Sequence, residues 1–110
     1  MQIAMFNKLS SGRVRPSDID GMYIHDDKLI ILEVKFKSAS MPVGQRMTLE
    51  RIADAWRRSG KESYVILASH HVSNPTEDVR FTDLLVSNLY KNGRWYKVGF
   101  INIEEVLNRL

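Results

Sequence analysis

The chain has 110 residues, enough for one domain and one modest core. Hydrophobic residues are 44% and charged residues 26% of it, an ordinary globular composition, and every apolar run is too short to span a bilayer. The absence of cysteine excludes disulfides and thiolate metal sites, and a net charge of +3 permits a polyanionic partner without demanding one.

Residues 1–10 carry Ile3, Phe6 and Leu9 at helical spacing, which predicts a short helix. They lack the basic start and long apolar stretch of a secretory leader, so a cytoplasmic, reducing location is expected. Residues 10–16, Ser-Ser-Gly-Arg-Val-Arg-Pro, read as a basic loop. There Arg13 and Arg15 can meet a phosphate backbone, or they are simply solvated.

Residues 16–37 predict two strands joined by a tight turn at Asp26-Asp27. The second strand is rich in Ile, Leu, Val and Phe, with a charged pair set into it. Alternation puts Ile30, Leu32, Val34 and Phe36 on one face and Leu29, Ile31, Glu33 and Lys35 on the other. A two-residue loop makes paired positions sum to 53, and a four-residue loop does the same. Asp20 then faces Glu33, and Asp18 faces Lys35. An odd loop length would break the match. Opposed carboxylates destabilise each other unless a proton, a cation or a metal ion lies between them. A hard divalent cation such as Mg²⁺ takes such oxygen ligands, and a neighbouring Lys35 can orient water or offset charge on a phosphate.

Asp20, followed by Glu33-Val34-Lys35 at the end of an apolar strand, resembles the signature of the PD-(D/E)XK nuclease superfamily. That superfamily includes Holliday-junction resolvases, many restriction endonucleases, and phage-type replication and repair nucleases. The resemblance covers roughly residues 16–70. It implies Mg²⁺ (or Mn²⁺) as cofactor, with Asp20, Glu33 and the Val34 carbonyl as its ligands. It implies Lys35 as the catalytic lysine. Some branches add a glutamine at the start of the next helix, and Gln45 matches it. Asp18 would steady Lys35 or assist the metal. The family core runs helix, three strands, helix, strand. Residues 1–17 are too few for a full helix and a full first strand, and contain no acidic residue. The core is therefore expected to be trimmed at this end, or completed by another chain or by the C-terminal hairpin.

A helix is expected from Pro42 to about residue 59, with Gly60 as its stop. Leu49, Ile52, Ala53 and Trp56 would form its buried stripe, with Trp56 in the core rather than a platform for a base. Arg46, nearest the proposed site, is expected to contact nucleic acid. Arg57, Arg58 and Lys61 either do the same or complement the helix dipole. Residues 62–69 form a continuous apolar strand, predicted to be central and parallel to 29–37 through a right-handed crossover. His70-His71 would end it, either as a loop-end pair without a role or with one of them touching substrate. Residues 72–80 read as a loop.

Residues 83–90 and 94–98 flank Asn92-Gly93, the strongest hairpin signal in the chain. Tyr90, Trp95 and Tyr96 suit cross-strand packing, and an exposed Trp95 would alternatively stack on a base. Asn102-Ile-Glu-Glu opens a closing helix with Ile103, Val106, Leu107 and Leu110 on one stripe. No Walker loop, dinucleotide fingerprint, nucleophile elbow or zinc spacing is present, so no nucleotide cofactor is expected.

The expected fold is α/β over one domain, 1–110: a mixed sheet with flanking helices and a restriction-endonuclease-like core, the 20/33/35 hairpin at its centre. The expected function, carried by the resemblance, is metal-dependent hydrolysis of DNA phosphodiester bonds, including branched or junction DNA. Symmetric cuts need paired sites and would call for a homodimer, although the sequence marks no dimer interface. A non-catalytic nucleic-acid-binding module and a protein-interaction subunit are the other readings. No membrane partner is expected.

Overall fold

Two tight turns organise the sheet. Asp26 and Asp27 have φ of 49° and 66°, and Asn92 and Gly93 have φ of 53° and 79°. Left-handed backbone at both central residues marks the hairpin turn whose twist matches that of its strands. A side chain at Gly93 would also crowd the Arg57 guanidinium, with its Cβ 3.3 Å from Nη2.

The computed structural model describes residues 21–36, 41–70 and 80–110. The expected helix over 1–10, the loop with Arg13 and Arg15, and Asp18, Asp20 and His71 lie outside the described residues. Strand β1 (Gly21–His25) pairs antiparallel with β2 (Lys28–Phe36), from His25↔Lys28 to Gly21↔Leu32. Every pair sums to 53, the register expected from a two-residue turn. Helix α1 (Val43–Arg57) then crosses over to β3 (Ser63–His70), which lies parallel to β2. A single 3₁₀ turn (Phe81–Asp83) leads into β4 (Leu85–Lys91), β5 (Arg94–Asn102) and helix α2 (Ile103–Asn108). Among the described residues five strands stand in the order β1-β2-β3-β4-β5, and only β2 and β3 run parallel.

The mixed sheet with helices is as expected; several placements differ. The charged hairpin is not central: β3 is, and β1 is the edge strand among the described residues. The C-terminal hairpin extends the sheet beyond β3, away from β1, so it does not complete the N-terminal side. Strand β4 starts at Leu85, two residues later than expected, because a helical turn occupies Phe81–Asp83. Strand β5 continues past Val98 to Asn102, bending through Gly99 (φ 86°) and Phe100 (φ 64°). His70 belongs to β3, buried with its ring centroid 5.5 Å from that of Phe36.

Both faces of the sheet are covered. On one, Ile30, Leu32 and Val34 of β2 pack with Ile66, Val86 and the α2 residues Ile103, Val106 and Leu107. The Asn102 side chain caps α2 by accepting from the Glu104 amide at 2.9 Å. On the other, Leu29 and Ile31 pack with Val65, Tyr90 and Ala53, with Leu49 and Trp56 alongside. Ile52 does not join them and is 39% exposed.

Helix α1 is tied down along its length by polar contacts. Ser63 Oγ donates to the Ala53 carbonyl (2.6 Å), and the Trp56 indole to the Asp27 carbonyl (2.8 Å). The Tyr90 hydroxyl donates to Asp54 (2.9 Å) and the Trp95 indole to Glu50 (2.6 Å).

Burial, reinforced by its hydrogen bond to Asp54, pushes the Tyr90 phenol up to about 12. Burial and the bond to Glu62 do the same for Tyr64, also to about 12, while the Tyr64 hydroxyl holds the Glu62 carboxyl below its usual range. In the unfolded chain both phenols ionise near 10.0. The unfolded chain therefore loses these protons first as pH rises. The stability the phenols contribute is complete below pH 10 and disappears between about pH 10 and 12. Urea midpoints should fall across that window, and Tyr64→Phe/Tyr90→Phe should flatten the fall. An equally steep fall in the double variant would assign the effect elsewhere.

Candidate active site

Glu33 and Lys35 lie near the C-terminal end of β2, on the face that α1 covers. Alternation along β2 puts them there once Leu29 and Ile31 are packed beneath the helix. Gln45 is the third residue of α1. The crossover brings that first turn back over the end of β2, since the helix runs against the two parallel strands it joins. Open α/β sheets commonly place ligands at such carboxyl ends.

Here the three side chains meet. Gln45 Nε2 donates to Glu33 Oε1 at 2.7 Å. Lys35 Nζ stands 3.0 Å from the same oxygen and donates to Gln45 Oε1 at 3.2 Å. Each of the three side chains contacts the other two through Glu33 Oε1, Lys35 Nζ and the Gln45 amide. Glu33 is 4% exposed, so its carboxylate is held out of water. An unpaired carboxylate so placed would cost several kcal/mol, on the order of 3–5 for a fully buried ion. Lys35 and Gln45 offset that cost. The first turn of α1 contains no acidic residue of its own, and its positive dipole end adds to the favourable field.

The second Glu33 oxygen accepts from no protein group among the described residues. A hard carboxylate oxygen with remaining lone pairs fits the donor chemistry of Mg²⁺. One carboxylate does not make a complete site. Among the described residues no group of three His, Cys, Asp or Glu side chains comes together. Asp20 and Asp18, expected to complete the set, lie outside the described residues. Val34 lies between Glu33 and Lys35 with its side chain buried in the opposite layer.

Arg46 is exposed next to Gln45, with its Nε 3.6 Å from Glu50. That carboxylate also takes the Trp95 indole, and Trp95 packs on Tyr90 with ring centroids 5.2 Å apart. Trp95 is thus a half-buried cross-strand partner. An exposed i,i+4 pair such as Arg46–Glu50 contributes only about 0.3–0.5 kcal/mol, so a phosphate could readily displace it. Arg57 is turned towards Asp54 at 3.4 Å, and Lys61 towards Asp27 at 3.7 Å.

Asn88 and Lys97 were not singled out from the sequence, yet both stand level with Glu33 in the sheet. The Asn92-Gly93 turn pairs them with each other; their alignment with Glu33 emerges only through β3. Compared with known proteins, the chain matches no family model, and neither a curated protein nor a solved structure resembles it significantly.

The triangle predicts a charge-dependent stability. Lys35→Met should leave a buried carboxylate without its cation and lower stability at neutral pH by about 1–3 kcal/mol, allowing for the partial exposure of the lysine. Glu33→Gln/Lys35→Met should regain most of the loss, because no buried charge remains. Equal urea-denaturation losses in the two variants would show that the pair is held by packing alone.

Proposed function

We propose that this chain is a Mg²⁺-dependent nuclease acting on DNA, built on a restriction-endonuclease-like core. The observation that carries the reading is the closed Glu33–Lys35–Gln45 triangle at the end of β2. A solvated surface hairpin would leave Glu33 and Lys35 in water, and would not need Gln45 to reach across from the next helix. The order strand, strand, helix, strand over 21–70 supports the same reading, since it follows the last four elements of the core that the resemblance implies. The register supports it as well. Continued one residue past Gly21↔Leu32, it would set Asp20 opposite Glu33.

Glu33, Asp20 and the Val34 carbonyl would hold the ion. Bound there, Mg²⁺ would supply Lewis acidity towards the scissile phosphate and the attacking water. The chain's own groups do the rest. Lys35, a compact cation with three donors, orients the water and offsets negative charge gathering on the phosphate oxygens. Gln45 holds Lys35 and Glu33 at their working distance and keeps the ammonium aimed. The water oxygen forms a bond to phosphorus in line with the departing 3′ oxygen. The P–O3′ bond breaks, leaving a 5′-phosphate and a 3′-hydroxyl. Asp18, which the same extended register would set opposite Lys35, would be a positioning residue. Arg46 would hold a flanking phosphate. Cutting both strands of a symmetric substrate would recruit two copies of the chain.

Supercoiled plasmid, linear duplex, single strand and a four-way junction, each with Mg²⁺, Mn²⁺ or EDTA, form the test. Metal-dependent cutting should fall at least about 100-fold in Lys35→Ala and Asp20→Ala, and less in Asp18→Ala. Equal losses in the two aspartate variants would remove the ranking. Tight metal-independent binding without cutting would instead identify a nucleic-acid-binding module.

A further inference from the structure

The register extends the site across the sheet. Glu33 of β2 pairs with Leu67 of β3, Leu67 with Asn88 of β4, and Asn88 with Lys97 of β5. Residues paired this way project from the same face, so the four form one transverse row on the α1 side. Neighbouring strands are about 4.8 Å apart, so the row runs roughly 14 Å from Glu33 to Lys97. It rises from buried Glu33, through half-buried Leu67 and Asn88, to exposed Lys97. Helix α1 is seated over β2 and β3, so its first turn flanks the start of the row.

Two polar side chains of the row are not engaged by any described residue. The half-buried Asn88 amide makes no hydrogen bond with any described residue and reaches solvent, so its polar atoms are open to a ligand. The Lys97 ammonium has no carboxylate partner among the described residues. The backbone is also irregular at this point. The β3–β4 register shifts between Leu67 and Ala68, and the β4–β5 register between Val86 and Asn88. Such bulges re-aim side chains and are frequent beside active sites.

We propose that this row is the track of the substrate strand. The backbone of one DNA strand lies across β2–β5, its scissile phosphate at Glu33 and Lys35, the Asn88 amide donating to a sugar or phosphate oxygen, and Lys97 on a phosphate further along. Followed along the backbone, where phosphates are further apart than the axial rise of stacked bases, roughly 14 Å reaches a phosphate a few nucleotides from the scissile one. Leu67 provides an apolar rest for a sugar between the polar contacts. Asn88 and Lys97 are binding residues, distinct from the residues that act on the reacting phosphate. The proposal rests on the nuclease reading, which it deepens by naming the direction in which substrate leaves the site.

The test is binding of a fluorescein-labelled DNA strand, and of its duplex, to the Glu33→Gln chain with Mg²⁺ between about 50 and 200 mM salt. Adding Lys97→Ala should weaken binding about three- to tenfold and lower the log–log salt slope by about one. Asn88→Ala should weaken it with the slope unchanged. Lys91→Ala, an exposed cation pairing with Arg94 on the alternate face, should change affinity less than twofold. In the otherwise native chain Lys97→Ala should raise KM by the same factor and leave kcat alone. DNA binding that is indifferent to Lys97 and Asn88 would overturn the track, while wild-type cleavage would still judge the nuclease reading separately. No DNA binding at low salt would overturn both.

Discussion

The register of the first hairpin decides which side chains face which layer, and the chemistry of the molecule follows from it. A two-residue turn at Asp26 and Asp27 holds both residues at positive φ and closes β1 on β2 with no slack. A slip of one residue in β2 would exchange its faces. Glu33 and Lys35 would then enter the layer filled by Ile66, Val86, Ile103 and Val106, while Ile30, Leu32 and Val34 would turn towards α1. Each of those aliphatic side chains gains roughly 1.5–3 kcal/mol from its present burial, and an ion forced into that layer would lose several more. Alternative registers are therefore penalised on both faces at once.

A carboxylate held away from water is tolerable because a helix arrives with the right residue. Gln45 sits in the first turn of α1, and that turn is positioned by contacts at the far end and along the side of the helix: Ala53 with Ser63, Trp56 with Asp27, Asp54 with Tyr90, Glu50 with Trp95. Two of these partners, Tyr90 and Trp95, belong to the C-terminal hairpin, far in sequence from the charged strand. The hairpin therefore helps to fix the geometry around Glu33 without touching it. A site built on a strand and a clamped helix is more rigid than one carried on loops.

Much of this was legible in the sequence because it is local. The paired aspartates at 26–27 and the Asn92-Gly93 dipeptide each specified a turn type, hence a register; Asn102 specified a helix start. Gln45 could be matched with Glu33 and Lys35 because strand, connector and helix are consecutive. The departures are non-local or depend on fine backbone geometry. Periodicity gives the apolar stripe of α1 but not the width of sheet beneath it, so Ile52 was expected to be covered and is not. An apolar strand with a charged pair reads as the organiser of a sheet, whereas centrality depends on what else pairs, and β3 has two strands on each side. Phe100 adopts positive φ without being a residue type that favours it, so the extension of β5 had no cue. The half of the site that Asp20 and Asp18 would supply rests on the register alone.

Sheet order repeats chain order among the described strands, from β1 to β5. Every strand therefore adds to the one made immediately before it, and no pairing waits for a distant segment. In kinetic terms the entropy of loop closure is spread over four steps: two hairpins that close in microseconds, a crossover that needs α1 to form first, and the closure of β4 on β3. Such a topology favours rapid folding and lets the sheet grow outward as the chain leaves the ribosome. The crossover is its bottleneck, and Gln45, Glu33 and Lys35 lie at its two ends. Folding speed and the assembly of the triangle thus depend on the same helix docking event.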